Sequence, residues 1–201
     1  MSLYRFQRRG LLFVISAPSG GGKSAVLTRL LASEADLHYS VSVTSRAPRP
    51  DEVEGRDYHF VSRAEFESLV QQDVFYEWAE VHGNLYGTRS DTVEGALAEG
   101  RDVALDLDVQ GGLSAKYRSP DAVLVFLMPP SFQVLEQRLR QRATDSEEAI
   151  RMRLENARRE MIYWRQYNYL VVNEDIDESV EKVRRILYAE RHRVSRLKLL
   201  Q

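Results

Sequence analysis

Eight residues constrain this chain more than any others. Ala17-Pro18-Ser19-Gly20-Gly21-Gly22-Lys23-Ser24 stand between the apolar run 11–15 (LLFVI) and the stretch 24–32 (SAVLTRLLA), where Leu27, Leu30 and Leu31 share one helical face. An unbroken apolar run of that length predicts a strand buried on both sides. Glycines in the turn let successive backbone N–H groups point inward at an anion, and the helix that follows aims the positive end of its dipole at the same place. In such a loop Lys23 reaches the β- and γ-phosphates of a nucleotide and the Ser24 hydroxyl ligates Mg²⁺. The competing reading is a glycine-rich turn with an incidental lysine, which explains neither the strand before it nor the helix after it. The spacing therefore predicts ATP binding. Ala17 occupies the place usually held by the first glycine, a mild change where the backbone accepts a small β-carbon. The loop alone does not separate a kinase from a GTPase or a motor.

Further apolar runs predict strands over 102–108, 122–128 (ended by Pro129 and Pro130) and 169–172, alternating with helices. That rhythm predicts an α/β fold, a parallel sheet covered on both faces. Ser62-Arg63-Ala64-Glu65 reads as a capping box opening a helix over 63–71, and Thr144-Asp145-Ser146-Glu147 opens another to about 165. A last helix is expected over roughly 177–197, with Val180, Val183, Ile186 and Leu187 on one stripe. Two stretches break the rhythm. Residues 40–90 alternate like short strands with Gly55, Gly83 and Gly87 as turns, a small and mostly β insertion. Residues 131–158 are helical and dense in arginine. Arg140, Arg151 and Arg159 fit exposed i,i+4 pairing with nearby glutamates.

Composition excludes several function classes. With 201 residues the chain suits a single core with small appendages. A net charge of −2 argues against broad electrostatic binding to nucleic acid or an anionic membrane. There is no cysteine, so disulfides, zinc–thiolate sites and thiol nucleophiles are excluded, and His38, His59, His82 and His192 lack metal-ligand spacing. Arg5, Arg8 and Arg9 before the run 11–15 have the outline of a signal peptide, but the run is too short and no small-residue cleavage site follows. The cytoplasm is the expected location. The last helix is open to packing on its own core or on a second copy, a homo-oligomer.

Beyond the phosphate loop, Ser42-Val43-Thr44-Ser45-Arg46-Ala47-Pro48-Arg49 and Gly55-Arg56-Asp57-Tyr58-His59-Phe60 resemble the GMP-binding region of guanylate kinases. Glu77-Trp78-Ala79, Gly83-Asn84-Leu85-Tyr86-Gly87-Thr88, Asp106-Leu107-Asp108-Val109-Gln110-Gly111 and Arg142-Ala143-Thr144-Asp145-Ser146-Glu147-Glu148 continue the match in family order, over nearly the whole chain. The resemblance implies a P-loop core of 1–39, 91–130 and 159–201, a GMP-binding domain of 40–90 and a lid of 131–158. It implies that Arg46, Arg49, Tyr58 and Tyr86 hold the GMP phosphate and that Ser42, Glu77, Thr88 and Asp108, beside Gly87, read the guanine. Arg49, Arg142 and Arg153 would join Lys23 around the transferring phosphoryl group, with Arg138 and Asn173 on the ATP side. Asp106 would orient Mg²⁺ through water, although the roles of Asp106 and Asp108 stay interchangeable at this stage.

The chemistry of these residues agrees. Guanidinium forks and phenol hydroxyls suit a phosphate monoester. Guanine presents donors at N1–H and N2–H₂ and an acceptor at O6. A carboxylate such as Glu77 accepts from the former, and Ser42 or Thr88 donates to the latter. Adenine lacks the N1 proton and would leave that carboxylate unpaired, a mismatch worth up to about 10⁴–10⁵ in discrimination. The expected reaction is ATP + GMP giving ADP + GDP, with dGMP as a further acceptor. Two rivals stand beside it: a guanylate-kinase-like protein-binding domain, and a P-loop kinase of another small phosphorylated metabolite.

Overall fold

The computed structural model describes residues 5–81, 83–141 and 146–200. Its centre is a five-stranded, all-parallel sheet built from β2 (Leu12–Ser16), β3 (Leu37–Tyr39), β8 (Asp102–Asp106), β9 (Val123–Met128) and β10 (Tyr169–Val172), in the order β10-β9-β2-β8-β3. Successive side chains of β2 take opposite faces, as the pleat requires. Phe13 and Ile15 pack with Val26, Leu27 and Leu30 of α1 (Lys23–Ser33) and with Val183 and Leu187 of α7 (Ile176–Arg191). Leu12 and Val14 pack on the other side with Val103, Leu105 and Leu107, under α3 (Ser90–Ala98) and α4 (Val109–Arg118). Over β2, β8 and β9 both faces are buried, which is why these strands read as continuous apolar runs; at the edge, Leu170 and Val172 of β10 stay exposed.

Residues 43–89 carry a second sheet of β4 (Val43–Thr44), β5 (His59–Phe60), β6 (Phe75–Val81) and β7 (Asn84–Arg89), in the order β5-β4-β7-β6. Its core is Val43, Phe66, Phe75 and Leu85, with α2 (Arg63–Gln71) supplying Phe66. Ser62 caps α2 by accepting from the Glu65 N–H at 3.1 Å, the half of the expected box that satisfies an orphan amide. A register shift between Phe75 and Glu77 interrupts the β6–β7 ladder, so that Phe75, Tyr76 and Glu77 are all buried. Bulges of this kind re-aim side chains, and here Glu77 is the one turned inward. The helices α5 (Phe132–Gln141) and α6 (Glu147–Met161) share a small core of Leu135, Leu139 and Ala157.

Four boundaries differ from the sequence expectation. The last helix ends at Arg191 rather than near 197, because the chain turns through a 3₁₀ segment into β11 (Leu197–Leu200), which pairs antiparallel with β1 (Arg5–Arg8). Ion pairing ties β1 and the end of α7 to the core: Asp102, fully buried, is held by Arg8 and by Arg191 at 2.7 Å, and Arg191 reaches Glu34 at 3.0 Å. Helix α6 stops at Met161 and continues only as a 3₁₀ turn to Gln166. It is capped by Ser146 accepting from Ala149 N–H at 3.2 Å, a shift of two residues from the box read at Thr144, which lies outside the described residues. Strand β8 ends at Asp106 because Asp108 has left the ladder to cap α4. Among the described residues no helix is long and apolar enough to cross a membrane.

Candidate active site

The loop after β2 has the conformation its glycines predict. Gly20 and Gly22 stand at φ 84° and 90°, the left-handed region that L side chains avoid. Gly22 is also the residue preceding α1, so the loop amides run straight into the helix N-terminus. Lys23 Nζ lies 2.5 Å from Asp106 Oδ1 and donates to the Leu107 carbonyl at 2.8 Å. The loop is thereby tied to the C-terminal end of the adjacent strand, where open α/β sheets bind ligands. Ser24 is exposed beside it. Ala17 is nearly buried at 7% exposure, and a β-carbon on Gly21 would sit 2.9 Å from it.

Asn173 and Arg138, expected on the ATP side, converge on the loop from two elements. Asn173, directly after β10 and buried, donates from Nδ2 to the Gly21 carbonyl at 2.8 Å. Arg138 of α5 donates to the Asn173 carbonyl at 3.0 Å. Arg138 Nη1 and Asn173 Oδ1 are buried without a hydrogen-bond partner. Leu135 and Leu139 close over Gly20, whose missing β-carbon would fall 2.9 Å from Leu139.

Across from the loop lies a cleft of about 190 Å³ lined by Ser42, Tyr58, Glu77, Tyr86, Gly87, Asp106, Asp108 and Lys23, with Ala79, Val81 and Leu107 between them. Residues from β6, β7, the 40–60 segment and the end of β8 thus meet one phosphate-loop lysine. Glu77 is 7% exposed and accepts a hydrogen bond from Thr88 Oγ1 at 2.7 Å. Burial is the main cause that pushes its carboxyl up to about 7; Asp108 adds to the rise, while Thr88 and Lys23 oppose it. The Thr88 proton is committed to Glu77, and of the two aliphatic hydroxyls Ser42 is the one that lines the cleft. Asp108 does two things at once: its Oδ1 accepts from Gly111 N–H at 2.8 Å, capping α4, and its side chain lines the cleft. Gly87 backs onto the stacked pair Phe66–Phe75, 4.4 Å apart, where a β-carbon would lie 2.8 Å from Phe75.

Arg46 and Arg49 do not line the cleft but sit beyond Tyr58, in a cluster containing a residue that spacing gave no reason to choose. Glu52 takes both terminal nitrogens of Arg46, at 2.8 and 2.9 Å, and the backbone N–H of Arg49 at 2.8 Å. Arg46 also lies 5.3 Å over the Tyr58 ring, which meets Tyr86 edge-on at 5.9 Å. Glu52 thus makes the bidentate contact a phosphate would make, and its own carboxyl is held below the usual range, chiefly by Arg46. Arg49 itself is two-thirds exposed. Gly111 and Gly112 were equally invisible as site residues. A β-carbon on Gly111 would stand 2.8 Å from Glu77 Oε2, and one on Gly112 would stand 2.8 Å from the Tyr167 hydroxyl. Of the two arginines expected in a lid, Arg153 is half-buried on α6, and Arg142 lies outside the described residues. Arg140 and Arg159 form surface pairs, Arg140 with Glu136 and Glu147 and Arg159 with Glu155.

A sequence model described as guanylate kinase matches residues 9–190. The guanylate kinase of Rhizobium meliloti (strain 1021) is 50% identical over 98% of this chain and 90% of its own length. That of Caldanaerobacter subterraneus subsp. tengcongensis is 45% identical over 96% of this chain and 93% of its own. Among solved structures, guanylate kinase from Anaplasma phagocytophilum superposes with a TM-score of 0.80 at 36% identity, covering 96% of this chain and 92% of that one. Shikimate kinase from Bacteroides thetaiotaomicron, at 14% identity and a TM-score of 0.52, shares the fold alone. With a family match spanning nearly all its length and relatives at half identity over almost the whole chain, this protein belongs to the guanylate kinase family.

Proposed function

We propose that this chain transfers the γ-phosphoryl group of ATP to GMP, and to dGMP, giving ADP and GDP. The observation that carries the reading is the cleft in which a buried glutamate, Glu77, faces a phosphate-loop lysine, Lys23. One end presents what guanine needs and the other what a triphosphate needs. In this reading residues 1–39, 91–130 and 159–201 form the ATP-binding core, 40–90 hold GMP and 131–158 form the lid.

Glu77, fixed by Thr88 and flanked by Asp108, accepts from N1–H and N2–H₂ of guanine, and Ser42 donates to O6. Arg46, Arg49, Tyr58 and Tyr86 take the GMP phosphate, which displaces Glu52 from the Arg46 fork. Burial keeps the Tyr58 phenol protonated well above neutral pH, so it remains a donor to that phosphate. On the other side the loop amides and Lys23 hold the β- and γ-phosphates. Arg138 and Asn173 offer their unpartnered buried atoms toward the adenosine. Attack of the GMP phosphate oxygen on the γ-phosphorus breaks the bond to the β-phosphate oxygen. Little covalent work falls to the protein, whose task is alignment and neutralisation of charge. Arg49, Arg142 and Arg153 contribute that neutralisation as the lid shuts water out.

The donor set also suits Mg²⁺, which takes one or two protein oxygens and keeps the rest of its shell in water and phosphate. The Ser24 hydroxyl would be such an oxygen, and the Asp106 carboxylate, already drawn to Lys23, would hold the ion through water; when bound, the ion would supply charge neutralisation on the transferring phosphates. A coupled ADP-release assay offering GMP, dGMP, AMP and UMP tests the function. Turnover with GMP and dGMP alone is expected; equal turnover with AMP, or none with any, refutes it.

A further inference from the structure

Glu160 has no part in the chemistry above, yet it touches the phosphate loop. It lies in the last turn of α6, and its Oε2 accepts a hydrogen bond from the Ser19 N–H at 3.2 Å. The carboxyl is pushed up first by burial and then by Asp108, while the Ser19 N–H and Lys23 pull it back. Apart from the Ser19 N–H and Lys23, the surroundings disfavour an acid here. A helix C-terminus repels negative charge, burial penalises it, and the loop alongside is shaped for polyphosphate. What the carboxylate does provide is a fixed contact between α6 and the loop.

The rest of α6 gives that contact a consequence. Arg153 is seven residues toward the N-terminus of the same helix, two turns away on the same face and about 10 Å along the axis. Between them Ala157, fully buried, packs against Leu135 and Leu139 of α5, the two leucines that also close over Gly20. The helix is thus a short rod seated on the phosphate loop at one end and carrying an arginine at the other. We propose that Glu160 is a positioning residue that registers α6 against the phosphate loop, so that Arg153 meets the phosphoryl group in transit at a set distance from the loop amides. This rests on the reading of Arg153 as a charge-neutralising group in GMP phosphorylation.

The test is a double-mutant cycle on the full chain, with ATP and GMP kinetics and thermal unfolding measured for each variant. Glu160→Ala is expected to lower kcat by roughly 30-fold with KM for GMP within about twofold. Glu160→Gln keeps an oxygen for Ser19 N–H and is expected to retain kcat within about threefold. In an Arg153→Ala background, Glu160→Ala is expected to cost no more than a further factor of about three. Should alanine unfold the chain, Glu160→Asp withdraws the acceptor by one methylene, and a loss of about tenfold is expected. An impaired Arg153→Ala whose loss multiplies with that of Glu160→Ala overturns the inference alone. So does a Glu160→Ala variant that melts earlier but turns over normally, or a Glu160→Gln variant as poor as alanine. An Arg153→Ala variant with unchanged kcat overturns the reading of Arg153 and the inference with it.

Discussion

The two anion sites proposed for this molecule are built from different materials. The phosphate loop uses eight consecutive residues, and most of its donors are backbone amides delivered by glycines at φ 84° and 90°. The opposite site uses side chains from at least four places in the sequence: Arg46 and Arg49, Tyr58, Glu77 and Tyr86. The first is specified by local conformation and holds its shape as soon as β2 and α1 form. The second exists only when the small sheet is assembled, and one of its own acids, Glu52, occupies the Arg46 fork. A backbone-built site can hold any polyphosphate; a side-chain-built site can choose among bases.

That contrast is broken most severely at Lys23, the one side chain the loop depends on. Lys23→Ala is expected to lower kcat by on the order of 10³-fold, because charge on the moving phosphoryl group loses a preorganised cation. Circular dichroism should be unchanged, since among the described residues Lys23 bonds Asp106 and the Leu107 carbonyl. A variant that keeps even a tenth of wild-type turnover would show that the loop works through its amides alone. On the opposite side, Glu77→Ala is expected to raise KM for GMP by roughly 10²-fold and leave KM for ATP within about twofold, the loss of a hydrogen bond from a buried polar site. Parallel losses for both nucleotides would mean that Glu77 supports the cleft rather than reads a base.

The difference also explains what could be read from the chain. Leu11–Ile15, the glycines and Leu27, Leu30 and Leu31 are adjacent in sequence and in space, so strand, loop and helix were legible together. Likewise Val103 and Leu105 fall on one face of β8 as their spacing requires, and Leu107, just past the strand, joins the same core. Glu77, Tyr86 and Thr88 entered through resemblance to a family, because no spacing between them signals a purine pocket. Glu52 stayed hidden since one glutamate in a charged turn looks like any other until Arg46 folds onto it. β1 and β11 were missed for a related reason. Each of these strands is short and mostly exposed, with no apolar alternation to betray it, and their pairing joins opposite ends of the chain. The boundary of β8 moved because Asp108 serves α4 as a cap, a role that three-residue spacing to Gly111 permits but does not announce.

Gly111 offers a sharper version of the comparison, since it is a backbone device inside the side-chain-built site. Its α-carbon lets α4 approach Glu77 so closely that a methyl group would stand 2.8 Å from Oε2 and 3.1 Å from Asp108 Oδ1. Gly111→Ala must therefore push Glu77 out of line or tilt α4. Overpacking of this kind costs about 2 kcal/mol, so KM for GMP is expected to rise roughly 30-fold. Isothermal titration with each nucleotide separates the cases: a matching loss of ATP affinity would place the damage in the helix as a whole.

The smallest effect expected is one of pH, and only the side-chain-built site should show it. Burial pushes the free Glu77 carboxyl up to about 7, whereas guanine donates protons to it and so binds the ionised form. Below pH 7 GMP must displace a proton from Glu77; above it the acceptor is ready. KM for GMP is therefore expected to fall by about tenfold between pH 6 and pH 8 and then flatten. The GMP phosphate itself titrates near pH 6, so the decisive comparison is with Glu77→Gln, which should keep any step near 6 and lose the one near 7. Stability runs the other way in the unliganded protein. A carboxyl raised on folding contributes most below its unfolded value of about 4.5, and that contribution is lost as pH rises through 7. The wild-type melting temperature should thus drop between pH 5 and pH 8 by more than that of Glu77→Gln. If the two proteins melt in parallel across that window, Glu77 is already ionised in the empty cleft, and its readiness for guanine owes nothing to burial.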